Sequence, residues 1–181
     1  MDDRAHWLSL SLRLPVEGVN EYFASEEACE NRLHEIRWPN GPICPACSKK
    51  NFARIKARKP YSCRECKTQF SITSGTVLHG QRLGLKTYLC LAEQIVQSKT
   101  RGSLPTVHGT KERYGIAYAT AFRIRNLVRK DLSLENGGLL GCCICVNELD
   151  FPQDIDPTSD DYLRWLLTVQ QRRRWQMLGI E

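Results

Sequence analysis

No run of about 18 apolar residues occurs in this 181-residue chain, so no membrane-spanning helix is expected. The N-terminus, Met1-Asp2-Asp3-Arg4, lacks the charged-then-apolar order of a secretory signal peptide. A reducing cytoplasm is the expected location, where thiols stay free for metal rather than pairing as disulfides. Internal repeats and low-complexity tracts are absent, which excludes repeat arrays. Acidic residues are scarce in one segment. Residues 44–130 hold Glu65, Glu93 and Glu112 against 18 Lys or Arg, a net of +15. Residues 1–43 carry four basic and eight acidic residues, and residues 131–181 carry four and nine. A basic middle between acidic ends is the electrostatic footprint of a polyanion binder, so nucleic acid is the expected partner, against the plainer reading of a solvated surface.

Cysteine is plentiful, and its spacing carries chemistry. Cys44-Pro45-Ala46-Cys47 is followed, fifteen residues on, by Cys63-Arg64-Glu65-Cys66. Two Cys-x-x-Cys knuckles at this spacing form the four-cysteine zinc-ribbon pattern. Zinc suits four thiolates because it is borderline-soft and has no d-electron geometry to satisfy. Cys44, Cys47, Cys63 and Cys66 are therefore the expected ligands of one structural Zn2+, with no open position for catalysis. Short strands are expected near Phe52–Lys56, Tyr61–Ser62 and Gln69–Thr73. So small a unit buries little apolar surface, and ligation supplies its folding energy. Arg54, Lys56 and Arg58 are candidate DNA contacts on its surface.

The rest of the chain reads as helices with two exceptions. Residues 8–14 alternate Leu with Ser or Arg at period two, a strand signature. Gly141–Val146 reads as a second, buried strand holding Cys142, Cys143 and Cys145; two of these have half-site spacing, but no second pair remains. A helix is expected from Ser25, capped by its hydroxyl, with Glu26 and Glu27 in the first turn and Ala28, Cys29, Leu33 and Ile36 as its apolar stripe. Cys29 belongs to that core. Leu85, Tyr88, Leu89, Ala92, Ile95 and Val96 define another helix, over 85–96. A shorter one is expected from Leu104 to Arg113 with Ser103 as cap, then a turn at Tyr114-Gly115. A third runs from Tyr118 to Leu132 with Ala121, Ile124 and Val128 inward. A last helix is expected over 161–178, capped by Ser159 or Asp160, after an acidic linker.

Three helices with a tight Gly turn before a basic last one match the helix-turn-helix pattern. Tyr118, Ala119, Thr120 and Arg123 would then face base edges. Arg125, Arg129 and Lys130 would hold phosphates, with Asn126 alongside. The competing reading is an ordinary three-helix bundle with a basic outer face.

Phe23-x-x-Glu26-x-Ala28-Cys29-x-x-x-Leu33-x-x-x-Arg37-Trp38-Pro39-x-Gly41, the two knuckles, and Gln69-Phe70-Ser71-x-Thr73-x-Gly75-Thr76-Val77 together resemble the zinc-ribbon bacterial insertion-sequence transposases. Gly115-Ile116-Ala117-Tyr118-x-Thr120-Ala121-Phe122-Arg123-Ile124-Arg125 resembles that family's helix-turn-helix, which usually has Trp at the Phe122 position. The resemblance covers about residues 20–130. It implies DNA binding at element ends ahead of a ribonuclease-H-like nuclease with metal-binding acids. Here Gly141 to Glu148 looks like a decayed form of that nuclease's first strand, with Asn147 where an acid would stand. The 40 residues after Gly141 are too few for such a domain of roughly a hundred or more.

The expected fold is a small α+β zinc protein: a four-cysteine ribbon, a three-helix helix-turn-helix-like unit and a C-terminal helix. Its expected parts are a helical lead-in (1–41), the ribbon (42–80), the helix-turn-helix-like unit (81–135), and a strand, acidic linker and helix (136–181) left from a nuclease. The expected function is zinc-dependent DNA binding without catalysis, at element ends or as a regulator or competitor of a full-length transposase. The alternatives are a zinc-ribbon module that docks on a partner protein, or the non-catalytic part of a split transposase.

Overall fold

The computed structural model describes residues 3–55, 60–152 and 154–179. Eight helices and one three-stranded sheet are present among them. The helices are α1 (Asp3–Leu12), α2 (Val19–Tyr22), α3 (Glu26–Arg37), α4 (Leu85–Thr100), α5 (Val107–Tyr114), α6 (Tyr118–Leu132), α7 (Gly138–Ile144) and α8 (Asp160–Met177). The strands are β1 (Phe52–Arg54), β2 (Tyr61–Cys63) and β3 (Gln69–Phe70), antiparallel in the order β1-β2-β3. This is the α+β zinc-ribbon architecture expected from the sequence.

The main core is helical. Trp7, Cys29, Leu33, Tyr88, Leu89, Ile95, Ile124, Val128, Leu140 and Ile144 belong to one buried cluster, which draws on α1, α3, α4, α6 and α7. A second cluster joins Ala5, Leu8 and Leu12 of α1 to Tyr162 and Leu166 of α8. These two clusters overturn the strand expected at residues 8–14. Trp7 and Leu10 face the main core while Leu8 and Leu12 face α8, so α1 is buried on two sides. Leucines on both flanks of a helix mimic alternation, and period two then misreports the backbone.

The expected strand at Gly141–Val146 is also corrected, because Gly138–Ile144 is helix α7. Its apolar run is too short to tell a buried strand from a buried helix by periodicity. The helix expected over Leu104–Arg113 instead spans Val107–Tyr114. Thr106, not Ser103, is its cap, with the Thr106 hydroxyl accepting the Gly109 N–H at 3.0 Å. Pro105 thus lies outside the helix, where its missing N–H costs nothing.

Helix α3 links the helical core to the ribbon. Ser25 caps it by accepting the Ala28 N–H at 3.1 Å, as its sequence position predicts. At its other end Trp38 is buried in the ribbon core, edge-on to Tyr61 and Phe70 at centroid distances of 5.6 and 6.0 Å. Arg37 donates to the carbonyls of Ser71, Ile72 and Ser74, and so fixes the segment that leaves β3. Glu26 reaches back to α4, which begins at Gly84 with no cap of its own. The Glu26 carboxylate accepts the N–H groups of Leu85 and Lys86, and so occupies the positive end of that helix.

Candidate metal centre and nucleic-acid interface

The two knuckles are built alike. The Cys44 N–H donates to the Lys49 carbonyl at 3.0 Å, and the Cys63 N–H donates to the Thr68 carbonyl at 2.9 Å. Ser48 and Lys67, each one residue past the second cysteine of its knuckle, adopt left-handed φ values of 58° and 60°. This reversal turns both thiols of a knuckle towards one point. Sheet pairing of Phe52 with Cys63 then brings the knuckles together.

The four sulfur atoms lie within 4.8 Å of one another. Cys44 Sγ is 3.6 Å from Cys66 Sγ, and Cys47 Sγ is 3.5 Å from Cys63 Sγ. A tetrahedron of thiolates about 2.3 Å from zinc has edges of about 3.8 Å. A disulfide would need about 2.05 Å. The donor set therefore fits one structural zinc, with Cys44 and Cys63 buried beneath it and Cys66 exposed. Hydrogen bonds from the Thr68 side chain and backbone hold the Cys66 thiol down to about 6. The Lys49 N–H pulls Cys47 the same way, but desolvation and its sulfur neighbours push it up to about 12. Bound to zinc, all four cysteines would be held as thiolates.

The other cysteines belong to the packing. Cys29 is fully buried, and burial pushes it up to about 11. Burial likewise pushes Cys143 to about 12 and Cys145 to about 11, so both stay protonated thiols. The carbonyls of Cys142, Cys143 and Cys145 instead accept from Arg32 at 3.2–3.4 Å, which caps the C-terminal end of α7. Among the described residues, the four ribbon cysteines are the one group of His, Cys, Asp and Glu placed to hold a metal.

Helices α4, α5 and α6 form the helix-turn-helix-like unit. Gly115 ends α5 in the left-handed conformation (φ 61°), and only Ile116 and Ala117 separate it from α6. Ala121, Ile124, Val128 and Leu132 are buried on the inner side of α6. Tyr118, Ala119, Phe122, Arg123, Arg129 and Lys130 are exposed on the outer side, and Asn126 is half-buried. Thr120, four residues before Ile124, is half-buried on the inner flank. Arg125 is also half-buried and donates to the Pro105 carbonyl at 2.9 Å, joining α6 to the start of α5. Arg54 is exposed at the end of β1; Lys56 and Arg58 lie outside the described residues.

Sequence reasoning missed Gln81, half-buried in the segment between ribbon and α4. Its Oε1 accepts from Arg123 Nη1 at 2.7 Å and from the Tyr88 hydroxyl at 3.2 Å. Nothing in its immediate sequence signals this role, because its partners lie 42 and 7 residues away.

Residues 24–69 match the transposase zinc-ribbon domain family. The match begins just before α3 and ends in β3, so it takes in the helix that Trp38 and Arg37 fasten to the ribbon. Over 104 residues the chain is 25% identical to a protein of Halobacterium salinarum described as an uncharacterized protein in transposable element ISH50. That alignment covers 56% of this chain and 34% of the relative. The chain thus spans about a third of the length of the curated relative it matches. No solved structure matches it. No helix among the described residues is long and apolar enough to cross a membrane.

Proposed function

We propose that this chain is a zinc-dependent DNA-binding protein related to the DNA-binding regions of transposases. The outer face of α6 carries the reading. Ala119, Phe122, Arg123 and Asn126 share that face with Arg129 and Lys130, opposite a buried stripe. An α-helix of this kind fits the major groove of duplex DNA, with its early residues at base edges and its later cations at phosphates. Arg125 spends one donor on the Pro105 carbonyl and keeps the others for phosphate, and Thr120 lies half-buried at the inner edge of the same helix. The ribbon, with exposed Arg54, Lys49 and Lys50, adds contacts to the flanking backbone.

The reading assigns binding to this chain, not catalysis, at the ends of a mobile element or in competition with a full-length transposase. Glu148, Asp150, Asp154 and Asp156 lie between α7 and α8, and among the described residues the one sheet is that of the ribbon, whereas paired catalytic metals need acids fixed on a rigid frame. The test is anisotropy of labelled duplexes across roughly 50–200 mM salt. Binding should fall steeply with salt, and Arg129→Ala and Lys130→Ala should each lower the log–log slope by about 1. A duplex affinity that is undetectable, or indifferent to both changes, would refute DNA binding through α6. Retention of an acidic partner protein on the same face would then favour the protein-docking alternative.

A further inference from the structure

We propose that Gln81 sets base specificity by holding the Arg123 guanidinium ready for bidentate recognition of guanine. This rests on the DNA-binding reading above and adds the base that α6 selects. Arg123 is exposed near the front of α6, where a free arginine would sample many rotamers. Here its Nη1 is bonded to Gln81 Oε1 at 2.7 Å. The Gln81 side chain is gripped in turn. Tyr88, 1% exposed in the core of α4, donates its hydroxyl to the same oxygen. The Gln81 N–H donates to the carbonyl of buried Leu78 at 3.3 Å, which ties its backbone to the main core. The Arg123 guanidinium is thereby fixed to the helical core through a side chain outside α6.

Hydrogen-bond arithmetic names the base. Guanidinium carries five N–H donors in a planar fork. One Nη1 donor is spent on Gln81, which leaves the Nε–Nη2 edge intact. Two parallel donors on one edge match the O6 and N7 acceptors that guanine presents in the major groove. Adenine offers a donor where guanine has O6, so the same edge meets a mismatch there. Rotamer freedom lost before binding is not lost again on contact, so the tether sharpens discrimination. Gln81 touches no base itself; it is a positioning residue.

The experiment uses the full zinc-loaded chain. A duplex is obtained by selection from a random pool, and guanines are replaced singly by adenine. The Kd ratio is then compared for wild type, Arg123→Ala, Gln81→Ala, Gln81→Met and Gln81→Glu. One guanine should show a preference of roughly 10-fold or more, lost in Arg123→Ala. Gln81→Ala and Gln81→Met should cut that same preference roughly 3- to 10-fold, with salt slope and zinc content unchanged. The methionine keeps the packing while deleting the acceptor, so it covers any folding defect in the alanine variant. Gln81→Glu should keep the preference, because a carboxylate accepts both bonds. Full preference in Gln81→Met, or a preference that survives Arg123→Ala, overturns the proposal while salt-dependent binding through Arg129 and Lys130 stands. Wild type that binds no duplex overturns the DNA-binding reading itself, and this proposal with it.

Discussion

Asp131 carries a carboxylate into the core because α7 starts on glycine. Gly137 precedes that helix in a left-handed conformation and offers no side-chain cap. The N–H of Leu140 in its first turn finds Asp131 Oδ2 instead, at 2.8 Å. Gly138 makes the approach possible, since a Cβ there would lie 2.4 Å from the Asp131 carbonyl oxygen. Asp131 is 6% exposed, and desolvation raises its pKa against the pull of the Leu140 and Leu139 N–H groups. The raised value means that the folded protein holds this proton more tightly than the unfolded chain does. Its stabilising share is complete below the unfolded pKa and is lost as pH rises through the folded one. Asp131→Asn keeps an acceptor and removes the titration. Asp131→Ala leaves the Leu140 N–H unpaired and should cost about 1–3 kcal/mol. Urea melts from pH 7 to 4 should show the wild type gaining on Asp131→Asn as pH falls. A difference independent of pH would contradict the raised pKa.

At the scale of elements, α3 completes two other helices. Glu26 caps the start of α4 and Arg32 caps the end of α7, each from outside the helix it serves. Glu26→Ala strips the cap from α4 and should cost about 0.5–2 kcal/mol in thermal or urea unfolding. Glu26→Gln, which keeps an acceptor but no charge, should cost less; equal losses would mean that the charge does the capping. These long-range caps explain which elements could be read from sequence. Helix α3 was legible because Ser25 caps it locally, and α6 because one buried stripe faces a polar side. The four cysteines were legible because ligand spacing is a local property of the knuckles. Helices α1 and α7 were not, because burial on two sides hides the stripe of α1 and the apolar run of α7 is too short to show a period. Gln81 was not, because its importance comes from Tyr88 and Arg123, which the fold alone brings to it. Arg125 was legible as a cation on α6, but its bond to the Pro105 carbonyl depends on where α5 begins.

Across the whole molecule, stability comes from two different sources. The helical cluster buries Trp7, Leu33, Tyr88, Leu89, Ile95, Ile124 and Leu140, and no ribbon strand contributes to it. Among the described residues, the ribbon's own buried cluster is Trp38, Cys44, Cys63 and Phe70, with Phe52 and Tyr61 against them. Two of those four buried residues are expected ligands, so metal removal takes away much of what holds the strands together. Chelation, or Cys44→Ser, should therefore melt the ribbon while the helices persist. Purified protein should hold one zinc per chain. After chelation, amide resonances of β1–β3 should collapse to unfolded positions while those of α4 and α6 stay dispersed. Far-UV circular dichroism should keep most of its helical signal. The two parts are joined by Arg37 through the carbonyls of 71–74, and by the segment that carries Gln81. Non-specific DNA affinity should thus outlast metal loss, because Arg129 and Lys130 sit on α6, and the guanine preference should outlast it too, because Gln81 is held by Tyr88 and Leu78 of the helical core. Collapse of the helical resonances together with those of the ribbon would show instead that zinc holds the entire chain.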